Sequence, residues 1–408
     1  MKKFSLSLLM FLSLYNLQAQ ITDPQITSWI QTPGVTGYSG LAANVQAVNY
    51  STTDVYVTCT CIPGYDIGPW AGNPNTPANQ NFCFKITRTP AEKTGNKTAT
   101  GLGHVGVWTN GVSMFNSLDA MSYNNAGVWH QDALPNEGAS FDDCLGHPAP
   151  NGEYHHHVNP TCLYDDQNST VHSPIIGWSF DGYPVYGAYG YLDPSQPSTI
   201  VRMTSGYRKR SITTRTTLPN GTNAPSAGPA VSAQYSLGKY VEDYEYVQGL
   251  GSLDPYNGRW CVTPDYPDSI YAYFVTIDSN QVPVYPYTIG PSYFGVIPQG
   301  AVGPQSGHNT IPGTAVNYTT AATGITELST AGISTYPNPV SDVINIDFGN
   351  AISKHRIQLI DMSGRQIVFL TSTEKTAQIY MSEFAIGIYL VKINDEDGKT
   401  MQQKILKQ

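Results

Sequence analysis

The chain has 408 residues, 40% of them apolar and 12% charged, with a formal net charge of −9. That length accommodates two or three packed domains, and the acidic balance excludes a polyanion-binding surface, because lysine and arginine neutralising phosphates are what hold nucleic acid. The 28 tyrosines, 38 glycines and 29 prolines favour short strands and tight turns over long helices, so the expected fold is mainly β.

Residues 1–19 combine a two-lysine start, an apolar run from Phe4 to Leu14 and a small residue at Ala19. This is the pattern of a secretory signal peptide cut after Ala19. No other run reaches the ~18 apolar residues of a membrane span, so none is expected in the mature chain. Export places the six cysteines where disulfides persist. Cys59 and Cys61 alternate on a predicted strand and share a face, which suits pairing to a neighbouring strand, with Cys83 an available partner. Cys144 and Cys162 bracket the stretch GEYHHHVNP, and a bridge between them would close a loop around its histidines. Spacing alone leaves every pairing open.

Two segments echo each other. Gly106-Val-Trp108-Thr-Asn110-Gly111 runs on to Phe115, and Gly177-Trp178-Ser-Phe-Asp181-Gly182 runs on to Tyr186. Asn-Gly and Asp-Gly accept the positive φ angles of a type I′ turn, so each segment predicts a hairpin. Tyr271–Ile277 with Val282–Pro286 has the same layout in weaker form. Gly101-Leu-Gly103-His-Val-Gly106 matches a phosphate-binding glycine loop by letter only, since it runs into a strand-like segment and not a helix.

Seven of the nine histidines fall between 104 and 172. Residues two apart on a strand point the same way, so His155 and His157 face one side while Tyr154 and His156 face the other. Two imidazoles on one face begin a zinc or copper site, which needs three or four ligands. His147, in a loop between glycine and proline, and His172 are the candidates to complete it. Oxygen donors near in sequence are Asp142, Asp143, Asp165 and Asp166, with Glu153 as acid, base or support. His104, at the start of an apolar strand, reads as a buried hydrogen-bonded residue, and His130, beside Trp129, as packing. A serine nucleophile finds no GxSxG, and oxidised cysteines would be inert.

Tyr207-Arg208-Lys209-Arg210 reads as a solvated turn, and the polar segment from Ser211 to Ala230 as a long surface excursion. Residues 321–333 have linker composition. Beyond them VINIDF, RIQLID, RQIVFL and GIYLVKI are short alternating strands of a small antiparallel sandwich.

The run Tyr336-Pro-Asn-Pro-Val340, Ile357–Asp361 with Ser363-Gly364-Arg365, Gly387–Lys392 and Lys404–Lys407 resembles the C-terminal sorting domain of the type IX secretion system of Bacteroidota, over residues 334–408. That resemblance implies export across the outer membrane to the medium or cell surface. The partners it implies are the secretion machinery and, at the surface, lipopolysaccharide or extracellular glycans.

A second resemblance covers about residues 50–300 of the preceding domain, which is placed at 20–320. Gly152-Glu-Tyr154-His155-His156-His157 with Pro160-Thr-Cys162, His172-Ser-Pro-Ile-Ile-Gly177, Phe180-Asp-Gly-Tyr-Pro-Val-Tyr186, Glu242–Tyr246, Asn257-Gly-Arg259 and Tyr271–Val275 is similar to the YHYH proteins. His156 stands where that family has its second tyrosine. The family brings no reaction with it. Three readings of function therefore stand together: an exported metal-binding protein, hydrolytic or redox; a glycan or polymer binder using Trp70, Trp108, Trp129, Trp178 and Trp260 as stacking faces; and an adhesive scaffold.

Overall fold

The computed structural model describes residues 21–303, 306–319, 333–349, 354–361, 366–385, 387–394 and 400–408. The segment read as a signal peptide, and the linker except for its last residue, lie outside them. The protein is mainly β and divides into two compact units, 1–318 and 319–408.

The first unit packs two sheets. A four-stranded antiparallel sheet runs in the order Val316–Tyr318, Val45–Tyr50, Asp54–Cys59, Phe82–Thr87. An eight-stranded mixed sheet runs Gly258–Cys261, Ile270–Phe274, Pro184–Tyr186, Ile175–Ser179, His104–Trp108, Ser113–Phe115, Tyr154–His156, His147–Pro148. The larger sheet is covered on both faces, which is why Ile270–Phe274 reads as continuous apolar residues. Ala272 and Phe274 enter the core shared with the smaller sheet, beside Val57, Phe84 and Trp178. Tyr271 and Tyr273 enter a second core on the opposite face with Val105, Met114 and Val185, the period-two alternation of a strand.

The two echoed segments do form hairpins, but with a different turn. Trp108 and Ser179 donate to the carbonyls of Val112 and Tyr183, while Gly111 and Gly182 donate back to Trp108 and Ser179. Only the glycines take positive φ, at +80° and +87°, and Asn110 and Asp181 do not. This is a type I turn followed by one left-handed residue, the longer hairpin connection. The same bonding recurs from Asp278 to Val282, with Gln281 left-handed, and from Asp142 to Gly146, with Leu145 left-handed.

The cysteine expectations divide. Cys144 and Cys162 form a disulfide. Cys59, Cys61, Cys83 and Cys261 are free. The strand stops at Cys59, and Cys61 lies beyond it at φ +66°, so the two do not share a strand face. Cys83 stands opposite Thr58 and so points away from the Cys59 side. The basic cluster is also not a turn: Tyr207–Lys209 is a strand paired with Tyr244–Tyr246. The excursion that follows is anchored by fully buried Arg215, which grips Asp243 through two hydrogen bonds of 2.7 and 2.8 Å.

The second unit is a β-sandwich of a three-stranded and a four-stranded antiparallel sheet. Ile344, Ile346, Ile357, Leu359, Val391, Ile393 and Ile405 fill its core. Among the described residues no helix is long and apolar enough to cross a membrane.

Candidate metal centre

The site is built at the edge of the large sheet. His147 stands directly across from His155 on the neighbouring antiparallel strand, and opposed residues project to the same face. His157 lies just past the strand's end at His156 but turns its ring to the same side, with Nε2 3.1 Å from that of His155. Tyr154 and His156 go to the other, packed edge to face. The turn entering the His147 strand is held by one carboxylate: Asp142 accepts from the Cys144 and Gly146 N–H groups, both at 3.0 Å, and from the Tyr154 hydroxyl at 2.9 Å. The disulfide ties the same turn to the segment after the histidines.

The three imidazoles are oriented from behind. His155 Nδ1 donates to the Glu153 carbonyl at 3.0 Å, and His157 Nδ1 donates to the Asn116 carbonyl at 2.6 Å. Ser140 Oγ donates its proton to the Glu137 carbonyl at 2.8 Å and accepts from His147 Nδ1, also at 2.8 Å. A neutral imidazole carries one N–H, so protonation at Nδ1 leaves each Nε2 as a bare lone pair. Those lone pairs converge: His155 Nε2 is 3.1 Å from His147 Nε2 and 3.1 Å from His157 Nε2. All three ligand atoms lie within 4.8 Å of one another, and all three residues are buried. Phe115 stacks on His155 with centroids 3.9 Å apart.

Burial disfavours the imidazolium forms. It lowers His147 to about 3 and His157 to about 4, with His155 well below its ordinary value. The open side faces a cleft of about 480 Å³ whose lining includes Leu118, Asp119 and Glu137. Glu137 ends a short helix, Ala133–Glu137, and the turn Gly138–Ser140 continues from it. One compact segment thus supplies both the Ser140 hydroxyl and a carboxylate. Glu137 Oε2 lies 3.4 Å from His157 Nε2 and 3.7 Å from His147 Nε2. Burial, then Asp119, raise Glu137 to about 7, and burial raises Asp119 to about 6.

Of the four histidines singled out in the sequence, the structure brings together His147, His155 and His157 and leaves His172 elsewhere. His172 Nδ1 donates to the Ser173 carbonyl at 2.7 Å, and its ring packs on Tyr186 and Tyr191. The candidate oxygen donors are elsewhere too. Asp142 serves the turn, Asp143 and Asp165 are exposed, and Asp166 accepts from Asn159 at 2.8 Å. The Glu153 side chain turns to His104 at 3.0 Å. Glu137 and Asp119, which do face the cluster, went unread in the sequence. Neither belongs to a histidine motif, and a carboxylate two residues after a proline in ALPNEG carries no periodic signal. Trp108, Trp129 and Trp178 are fully buried, so only Trp70 and the exposed Trp260 retain any surface for stacking.

Residues 83–286 match the family model described as YHYH protein, and residues 334–408 match that of the secretion system C-terminal sorting domain. The tail marks an exported protein, secreted or held at the cell surface. No curated protein matches the chain. Among solved structures, a DUF3244 family protein with an immunoglobulin-like β-sandwich fold from Bacteroides vulgatus is 12% identical at a TM-score of 0.17, covering 19% of this chain and 83% of its own. CopC from Methylosinus trichosporium OB3b is 17% identical at 0.15, covering 18% and 90%. PorZ, a surface component of the type IX secretion system of Porphyromonas gingivalis, is 12% identical at 0.18, covering 95% and 53%. Likenesses at such scores carry no argument about function.

Proposed function

The chain belongs to the YHYH protein family, and on that footing we propose that this exported member binds one transition-metal ion, zinc or copper, through Nε2 of His147, His155 and His157. The observation that carries the reading is the approach of His155 Nε2, a bare lone pair, to 3.1 Å from the equally bare Nε2 of His147 and of His157. Two acceptors at that distance repel unless a cation lies between them. Ligands ~2.0–2.1 Å from one tetrahedral ion stand about 3.3 Å apart, close to the two 3.1 Å approaches, and the whole set of three lies within 4.8 Å.

Three histidines leave a fourth position, and here it opens on the cleft beside Glu137. A bound ion of this kind polarises an oxygen ligand and lowers the pKa of water. The residues do the rest. The Nδ1 hydrogen bonds fix the ring orientations, and Phe115 and Phe141 shield the rings from solvent. Glu137 stands where it can accept a proton from a molecule entering the open side. This arrangement supports metal-dependent chemistry on a small ligand rather than mere storage.

The test is elemental analysis of mature protein made without a polyhistidine tag. About one zinc or copper per chain is expected, falling to background in His155→Ala/His157→Ala. Metal-free protein whose thermal stability ignores both added metal and chelator would overturn the reading.

A further inference from the structure

A second cluster, of His104, Ser306 and Glu153, lies outside the metal cleft. His104 Nε2 is 2.6 Å from Ser306 Oγ, and His104 Nδ1 is 3.0 Å from Glu153 Oε1. Serine, histidine and carboxylate thus stand in the linear order of a nucleophile, its base and the group that orients the base. Such an arrangement is recognised by geometry and not by sequence position. The missing GxSxG motif therefore does not count against it.

The imidazole is held in place. Phe82, Phe84 and Phe180 meet it edge to face at 5.4, 5.1 and 5.7 Å. Glu153 is buried, so Nδ1–H is committed to its carboxylate and Nε2 presents a lone pair to the hydroxyl. Ser306 is positioned by its neighbours: Gly307 accepts from the Cys83 N–H, and Asn309 donates to the Cys83 carbonyl at 3.0 Å. The Gly303 carbonyl, 2.6 Å from Oγ, competes for the hydroxyl proton. All three groups line one cleft of about 390 Å³, with Phe82, Leu102 and the exposed His308 at its walls.

We propose that Ser306, His104 and Glu153 form a second, metal-independent site that hydrolyses carboxylic esters with a small acyl group. Ser306 Oγ bonds to the acyl carbon as its proton passes to His104 Nε2. The ester C–O bond then breaks, and the alcohol leaves with that proton. Water, deprotonated by His104, attacks the acyl-serine, releasing the carboxylic acid and returning the proton to Oγ. Glu153 holds the tautomer throughout. It also links the two sites, because its backbone carbonyl orients His155 while its side chain orients His104.

The mature chain is treated with a fluorophosphonate probe, the adduct is mapped by peptide mass spectrometry, and p-nitrophenyl acetate hydrolysis is followed in parallel. One adduct on Ser306 is expected, absent from Ser306→Ala and His104→Ala, with hydrolysis reduced at least ~100-fold in both. Labelling of the wild type needs no variant to fold. Chelation of bound metal should leave both readouts unchanged. An unlabelled wild type, an adduct elsewhere, or labelling abolished by chelator would overturn the proposal, and the first two leave the reading of the three-histidine cluster untouched.

Discussion

His155 and His157 bring their Nε2 atoms to 3.1 Å while each gives its Nδ1 proton to a backbone carbonyl behind it. Both rings are 3% exposed, so bulk water does not relieve the contact between lone pairs. The backbone has therefore fixed which nitrogen of each ring is free, and the period of the strand has fixed where the free ones meet.

The first consequence concerns pH. Ordinary imidazoles protonate near 6.5 and release their metal there. With burial holding His147 at about 3 and His157 at about 4, protons compete only at lower pH. Metal-loaded protein dialysed at pH 5 should keep its ion, and a release midpoint near 6 to 6.5 would show that the rings are more open to solvent than their burial implies.

Asp132 gives a stability prediction of opposite sign to the usual carboxylate. It is fully buried, accepts from the Tyr287 hydroxyl at 2.7 Å, and is raised by burial to about 7. A folded-state pKa above the unfolded value means that the native state holds the proton more tightly, so stability is full below about pH 4 and is lost as pH rises to about 7. Asp132→Asn, which keeps an acceptor for Tyr287 and a cap for the Ala133–Glu137 helix, should match wild type at pH 4. At pH 8 it should exceed wild type by up to about 4 kcal/mol in urea unfolding, because burial moves the carboxyl from an ordinary value of about 4 to about 7. A difference independent of pH would contradict this.

The Cys144–Cys162 bridge spans 18 residues and encloses both His147 and the His155 strand. A loop of that length gives about 3 kcal/mol by restricting the unfolded chain. Cys144→Ser/Cys162→Ser should lose ~2–4 kcal/mol of stability and bind metal more weakly, measured by chemical unfolding and competitive metal titration.

Gly146 tests the support behind the site. A Cβ there would lie 2.4 Å from Tyr154 Oη and 2.9 Å from His156 Nε2. Gly146→Ala should cost ~1–3 kcal/mol by overpacking. Because Tyr154 is pinned to Asp142 on the strand that carries His155, metal affinity should also fall about tenfold. An unchanged affinity would mean that the turn and the site are not coupled.

What the sequence disclosed depends on the range of each signal. The period of two at His155 and His157 is a property of neighbouring residues, so a strand displays it directly. His147 was readable because it lies just beyond the turn that its own Gly146 helps to form. His172, further off in sequence, went astray: the chain leaves the disulfide-closed segment before reaching it, and its ring packs on Tyr186 and Tyr191. Glu137 was invisible because a five-residue helix has too few turns to show a face. The hairpin positions were legible from Asn-Gly and Asp-Gly, but not the turn type, because either turn takes a left-handed glycine and they differ only in the residue before it. Cys59 and Cys61 misled because a strand can end between two residues without any mark in composition.

The most direct test of the three-histidine centre is anomalous diffraction from crystals of the mature chain grown with zinc. A coordinated ion should give one peak about 2.0–2.1 Å from Nε2 of His147, His155 and His157 together. A peak only at surface carboxylates, with the three rings in place and nothing between them, would contradict it.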